Sequence, residues 1–237
     1  MRLSHCFKDE GVFETAVDVL GEAYAANSES EKIADELQKA QRTRSQYEKA
    51  LSAMEQGEYT QARVLLMKVL EKAPSSTTLQ LKLCVCEIRL GACDAAMSKT
   101  TRILRKDKNN SHALAVRAEA LLNTANIAQT ETHCKEALRL DPDEPLAKKI
   151  WKSCKVIGRL MKEAEAAVKI RDFEVADEVY TAALAKAAEL SICRSGVLWC
   201  NLVSARANAL LRLAQVRSPY RSTYIRIPAV HKDPCST

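Results

Sequence analysis

The sequence predicts an all-α solenoid of helix-turn-helix units stacked lengthwise, and three observations carry that prediction. A motif recurs every 34 residues: Gln56-Gly57-Glu58-Tyr59 with Ala62, Leu66 and Pro74, then Leu90-Gly91-Ala92-Cys93 with Ala96 and Asp107. Between Met1 and Ala214 the only prolines are Pro74, Pro142 and Pro145, each where an apolar helical pattern stops, so long helices alternate with short turns. Hydrophobic residues make up 47% of the chain against six glycines and six prolines, enough apolar surface to fold, and a repeat array buries it against successive neighbours.

The elements follow in order. Gly11, Phe13, Ala16, Leu20 and Ala23 fit the end of one helix and the start of the next, a partial leading unit over residues 1–30. Residues 31–143 hold three regular units behind a long entry helix, with Gly57, Gly91 and Ala125 at 34-residue steps and Asp141-Pro142 closing the third. Within each unit a small residue in the first helix (Ala50, Cys84, Ala118) and one early in the second (Ala62, Ala96) stand where two helix axes must approach closely. Asp172-Phe173-Glu174-Val175-Ala176, with Tyr180, Ala183 and Leu184, reads as another second helix, twelve residues later than the strict period allows. The step from Gly11 to Gly57 carries the same excess, so in both places either a second helix or the following first helix runs on by about three turns. Residues 144–214 then hold this further unit and an orphan first helix around Ala205–Leu213, and residues 215–237 form an irregular basic tail. In all, about five to six repeats are expected, with incomplete terminal ones. An orphan first helix exposes an apolar stripe, and the sequence opens inside a unit, so a fragment or shortened isoform of a longer parent is expected.

Composition narrows the function. Of the net charge of +6, +5 lies from Glu189 onward, which leaves the repeat body nearly neutral. Aromatic residues are 5%, so the basic stripe with interleaved aromatics of a nucleic-acid binder is missing, and no nucleic-acid partner is expected. Nine cysteines form no CxxC pair, and Cys84 and Cys86 point to different helix faces, so buried reduced thiols are expected and no metal site. The start lacks an apolar signal region and no run of eighteen apolar residues occurs, so no membrane partner is expected and the cytoplasm or nucleus is the expected location. His112 and His133 are isolated, no phosphate-binding glycine loop is present, and no carboxylate pair can be placed in a cleft. A binding module without cofactor is expected, and no enzyme.

These units resemble the tetratricopeptide-repeat (TPR) family, whose unit has 34 residues, small residues at these places and a terminal Asp-Pro. The stretch from Ala137 to Leu184, EALRLDPDEPLAKK onward in its first half, is similar to the segment joining TPR blocks in DnaJ-type co-chaperones of the subfamily C member 7 group. That resemblance implies a co-chaperone-type adaptor binding Hsp70- or Hsp90-type chaperones or unfolded clients; a scaffold subunit of an unrelated assembly is the alternative. The group's J domain carries a His-Pro-Asp tripeptide, and His231-Lys232-Asp233-Pro234 is not that motif, so no Hsp70 stimulation is implied.

TPR domains that hold the chaperones' C-terminal Glu-Glu-Val-Asp tail use a carboxylate clamp of Lys, Asn, Asn, Lys and Arg. Those places fall on Tyr47, Leu51, Lys82, His112 and Val116 in one block and on Met161, Glu165 and Ala205 in the next, so the clamp is expected to be lost. First helices line the concave face of such a solenoid. Tyr47, Leu51, Met54, Leu81, Val85, Ile88, Arg89, Glu119 and Leu122 are therefore the expected groove lining, an apolar surface for a client segment oriented by Arg89 and Glu119. The same apolar residues would equally serve packing between repeats.

Overall fold

A computed structural model describes residues 12–217, which form ten α-helices among the described residues. They are α1 (Val12–Ala26), α2 (Glu31–Glu55), α3 (Tyr59–Lys72), α4 (Thr77–Arg89), α5 (Cys93–Lys106), α6 (Ser111–Asn123), α7 (Ile127–Leu140), α8 (Pro145–Lys169), α9 (Phe173–Glu189) and α10 (Val197–Arg217). Gly11 and residues 218–237, with the tail motif His231–Pro234, lie outside the described residues.

The turn inside each unit is set by one residue in the left-handed region. Gly57 (φ 79°), Gly91 (φ 85°), Ala125 (φ 63°) and Arg171 (φ 63°) end α2, α4, α6 and α8. At each turn the amide of the next residue donates to a carbonyl five residues back: Glu58 to Ala53 (2.8 Å), Ala92 to Glu87 (2.8 Å), Asn126 to Leu121 (2.9 Å) and Asp172 to Ala167 (2.9 Å). This is the Schellman closure, which satisfies carbonyls that a helix end leaves open. The starts of several helices are capped in the complementary way, with Asn110 Oδ1 accepting from the Ala113 amide (2.8 Å) and Asp172 Oδ1 from that of Val175 (3.2 Å).

Packing within a unit repeats with the same step. Ala50 and Ala62, Cys84 and Ala96, Ala118 and Thr130, and Ala164 and Ala176 are all fully buried where the two helices cross. Small side chains there let the axes approach, and the flanking Leu66, Val69 and Ile103 fill the remaining space.

The two twelve-residue excesses both lengthen a first helix. Helices α2 and α8 have 25 residues each, against 13 in α4 and α6. Consecutive first helices α4, α6 and α8 touch one another, while consecutive second helices make far weaker contact, so these three first helices lie on the side where successive units approach most closely, here called the inner face.

The last helix departs from the sequence expectation of an orphan first helix. Helix α10 packs on α9 and reaches the end of α6, with far weaker contact to α8 than stacking a further unit would give. Leu198 and Leu202 join a cluster with Leu122, Ile150 and Ile157, so part of its apolar surface is covered by the array itself. Helix α8 is 25 residues long, and α10, linked to α9, meets the end of α6 through the cluster that also holds Ile150 and Ile157 of α8. Leu210, Leu211 and Val216 stay exposed. The helix runs on to Arg217, beyond the expected stop at Ala214, since no breaker occurs before Pro219.

Candidate protein-binding groove

The structure divides the nine predicted lining residues. Leu51, Met54, Val85 and Arg89 are half-buried, whereas Tyr47, Leu81, Ile88, Glu119 and Leu122 are buried. Tyr47 lies against Phe13 at 5.1 Å between ring centroids, closing α2 onto α1. Leu81 and Ile88 pack with Ala96 and Ile103, and Leu122 with Ile150 and Leu198. Those four apolar residues are thus packing residues and offer no surface to a partner, which corrects the expected lining. A first helix has neighbours on three sides, and a 3.6-residue apolar stripe does not say which side is left open.

Arg89 and Glu119 do meet, Nη2 to Oε1 at 2.5 Å, but as an ion pair between α4 and α6. Burial holds the Glu119 carboxyl above its usual range, opposed by the Arg89 guanidinium beside it. Its second oxygen, Oε2, has no partner. A neighbouring buried carboxylate, Glu87, is held by Lys99 from α5.

One feature of the inner face has no sequence signal. The strap from Leu190 to Gly196, which links α9 to α10, folds onto the ends of α4 and α6. Arg89 Nη1 donates to the Ser191 carbonyl (3.2 Å), and the Cys193 amide donates to Asn123 Oδ1 (3.0 Å). Asn123 is 1% exposed and fixed by its own Nδ2, which donates to the Glu119 carbonyl (2.9 Å). Leu190 and Ile192 are buried. The fit is close: a Cβ on Gly91 would stand 3.1 Å from the Ser195 hydroxyl and 3.4 Å from the Cys193 sulfur. One on Gly196 would stand 2.9 Å from the Cys193 carbonyl oxygen. Contacts spanning 70 to 102 residues cannot be inferred from local patterning.

The residues read as clamp positions are spread between core and surface. Tyr47 and Val116 are core residues, and His112 Nδ1 lies 3.2 Å from Glu144 Oε1. Lys82 is the one cation among the positions named, and Glu165 is exposed. The thiols match a packing role, since burial pushes Cys84, Cys134 and Cys154 up to about 12 and Cys86 and Cys93 up to about 11. Among the described residues no group of three His, Cys, Asp or Glu side chains could hold a metal ion, and no helix is long and apolar enough to cross a membrane.

Comparison with known proteins agrees with this architecture. Residues 53–119 match the model of the tetratricopeptide repeat. The chain is 29% identical over 140 residues to DnaJ homolog subfamily C member 7 of Homo sapiens, and 33% identical over 90 residues to a DnaJ protein P58IPK homolog of Arabidopsis thaliana. Those alignments cover 59% and 38% of this chain, but only 28% and 19% of the two relatives. Among solved structures, the P58(IPK) TPR domain superposes over 91% of this chain and 61% of that one, at 20% identity and a TM-score of 0.49. Residues 53–119 carry the tetratricopeptide repeat, within a helix-turn-helix array whose sequence is similar to parts of these two DnaJ proteins.

Proposed function

We propose that the chain is a protein-interaction scaffold of the co-chaperone type, which holds client or chaperone proteins on its inner face without catalysing a reaction. The observation that carries this reading is the array of first helices facing inward, in a chain whose repeats are similar to those of two DnaJ proteins. An inward row of helices presents side chains from several units to one elongated partner, which suits binding better than turnover. Leu51, Met54 and Val85 are half-buried and supply apolar contact. The absence of paired cations and amides at the clamp positions argues against capture of a chaperone tail by its carboxylate. The expected location is the cytoplasm or nucleus.

The test is direct. The purified chain is titrated with a chemically unfolded model client and, separately, with the pentapeptide Met-Glu-Glu-Val-Asp. Binding of the client, with tail-peptide affinity weaker than about 100 μM (about −5.5 kcal/mol), is the expected result. Low-micromolar tail binding that a groove substitution abolishes would reverse the carboxylate part of the reading, and absence of any client binding would remove the scaffold role.

A further inference from the structure

Among the described residues the strap is a place where chain from a distant repeat sits on the ends of first helices, and the way it is held resembles the way a groove holds a peptide. Its polar contacts use main-chain groups, the Ser191 carbonyl and the Cys193 amide, which any peptide supplies. Its two aliphatic side chains, Leu190 and Ile192, stand two residues apart and are buried in the cluster that also holds Ala118 and Leu122 of α6. Arg89 and Asn123, which bind it, belong to other repeats.

We infer that the surface formed by Arg89, Gly91, Glu119 and Asn123 is a peptide-binding site whose built-in occupant is the strap 190–196, so that a partner segment docks there by displacing it. The partner chemistry follows from the contacts. It is a non-acidic segment with two aliphatic side chains at alternate positions, a free carbonyl on the residue between them and a free amide on the residue after the second. Because Glu119 neutralises Arg89, the site has no net positive charge to reward an acidic peptide.

Two features favour exchange. Ser191 is held at φ 53°, a conformation that costs a residue with a Cβ steric energy. Glu119 Oε2, on a residue 5% exposed, has no hydrogen-bond partner, and a segment that supplies a donor to it gains a contact. The site rests on the reading of the inner face as a protein-binding surface and adds both the partner's chemistry and its control.

The test uses a fluorescent peptide of residues 187–197, Ala-Ala-Glu-Leu-Ser-Ile-Cys-Arg-Ser-Gly-Val, and a control with its Leu and Ile replaced by Ser. The whole chain is compared with the double variant Leu190→Ser, Ile192→Ser, which loosens the strap and leaves the receptor residues intact. If the strap is closed about 90% of the time, the variant binds the peptide about ten-fold more tightly, and the control peptide binds neither protein. Equal affinity in a variant with unchanged helical circular dichroism would overturn the inference. So would a variant that dimerises in place of capturing peptide, since the site would then belong to a second copy.

Should the variant unfold, the unmodified chain still decides. Maleimide labelling of Cys193, followed by peptide-resolved mass spectrometry, should accelerate at saturating peptide made with Ser in place of its Cys, and no acceleration would sink the idea. Client binding by the unmodified chain separates the two readings: client bound with an inert strap removes this inference alone, whereas neither client nor peptide bound removes both.

Discussion

Four residues that turn first helices into second ones show how much one φ angle controls. Gly57 and Gly91 adopt the left-handed region freely, whereas Ala125 and Arg171 do so against the contact of Cβ with the backbone. Ala125→Gly and Arg171→Gly should therefore each stabilise the chain by about 0.5–1 kcal/mol in urea unfolding, the relief of strain being partly offset by the entropy of the unfolded glycine. Gly57→Ala should cost about 1 kcal/mol from backbone strain alone, since nothing lies within 4 Å of the added methyl. Gly91→Ala should cost more, because its methyl also meets the strap.

Glu119 supplies a pH signature at the same scale. Its folded pKa is raised by burial above the usual value near 4.5, so the folded state takes up its proton first. Its contribution to stability therefore rises as the pH falls through the folded pKa and levels off below about 4.5. Urea midpoints measured between pH 7 and pH 4 should show this component in the unmodified chain and lose it in Glu119→Gln. The glycine and alanine positions were legible because a 34-residue step repeats them; the Arg89–Glu119 pairing was legible only as two charges on the same face.

At the scale of helices, crossing geometry rests on small side chains. Ala62 is fully buried where α3 crosses α2, facing Ala50, so Ala62→Leu must push the axes apart or distort rotamers. A cost of about 1–3 kcal/mol is expected, read from denaturant midpoints with an unchanged slope. The lengths of α2 and α8 are a second matter at this scale. A twelve-residue excess was visible in the sequence, but whether a first or a second helix carried it was not, because uninterrupted helix formers surround both junctions. Tertiary contact chose the first helix: α8 keeps one half on α6 and α7 and offers the other to α9.

In the whole molecule, units touch mainly their neighbours, which makes stability local. Ile157→Ala, in the cluster that joins α6 to α10, should cost about 2–4 kcal/mol and raise hydrogen exchange there, while α3 keeps its protection. Opening the strap should break that rule, since Leu190→Ser, Ile192→Ser would raise exchange at once in α10 and at the distant end of α4. Sequence alone determined the repeat period, the helix pairs and the places where first helices give way to second ones, all set by residues close along the chain or at a fixed step. Only the tertiary structure decided that Leu81, Ile88 and Leu122 are core, that α10 settles beside α6, and that the strap occupies the inner face. Those outcomes depend on how far each helix extends and on which distant surfaces the curvature brings together, and a local period carries no record of either.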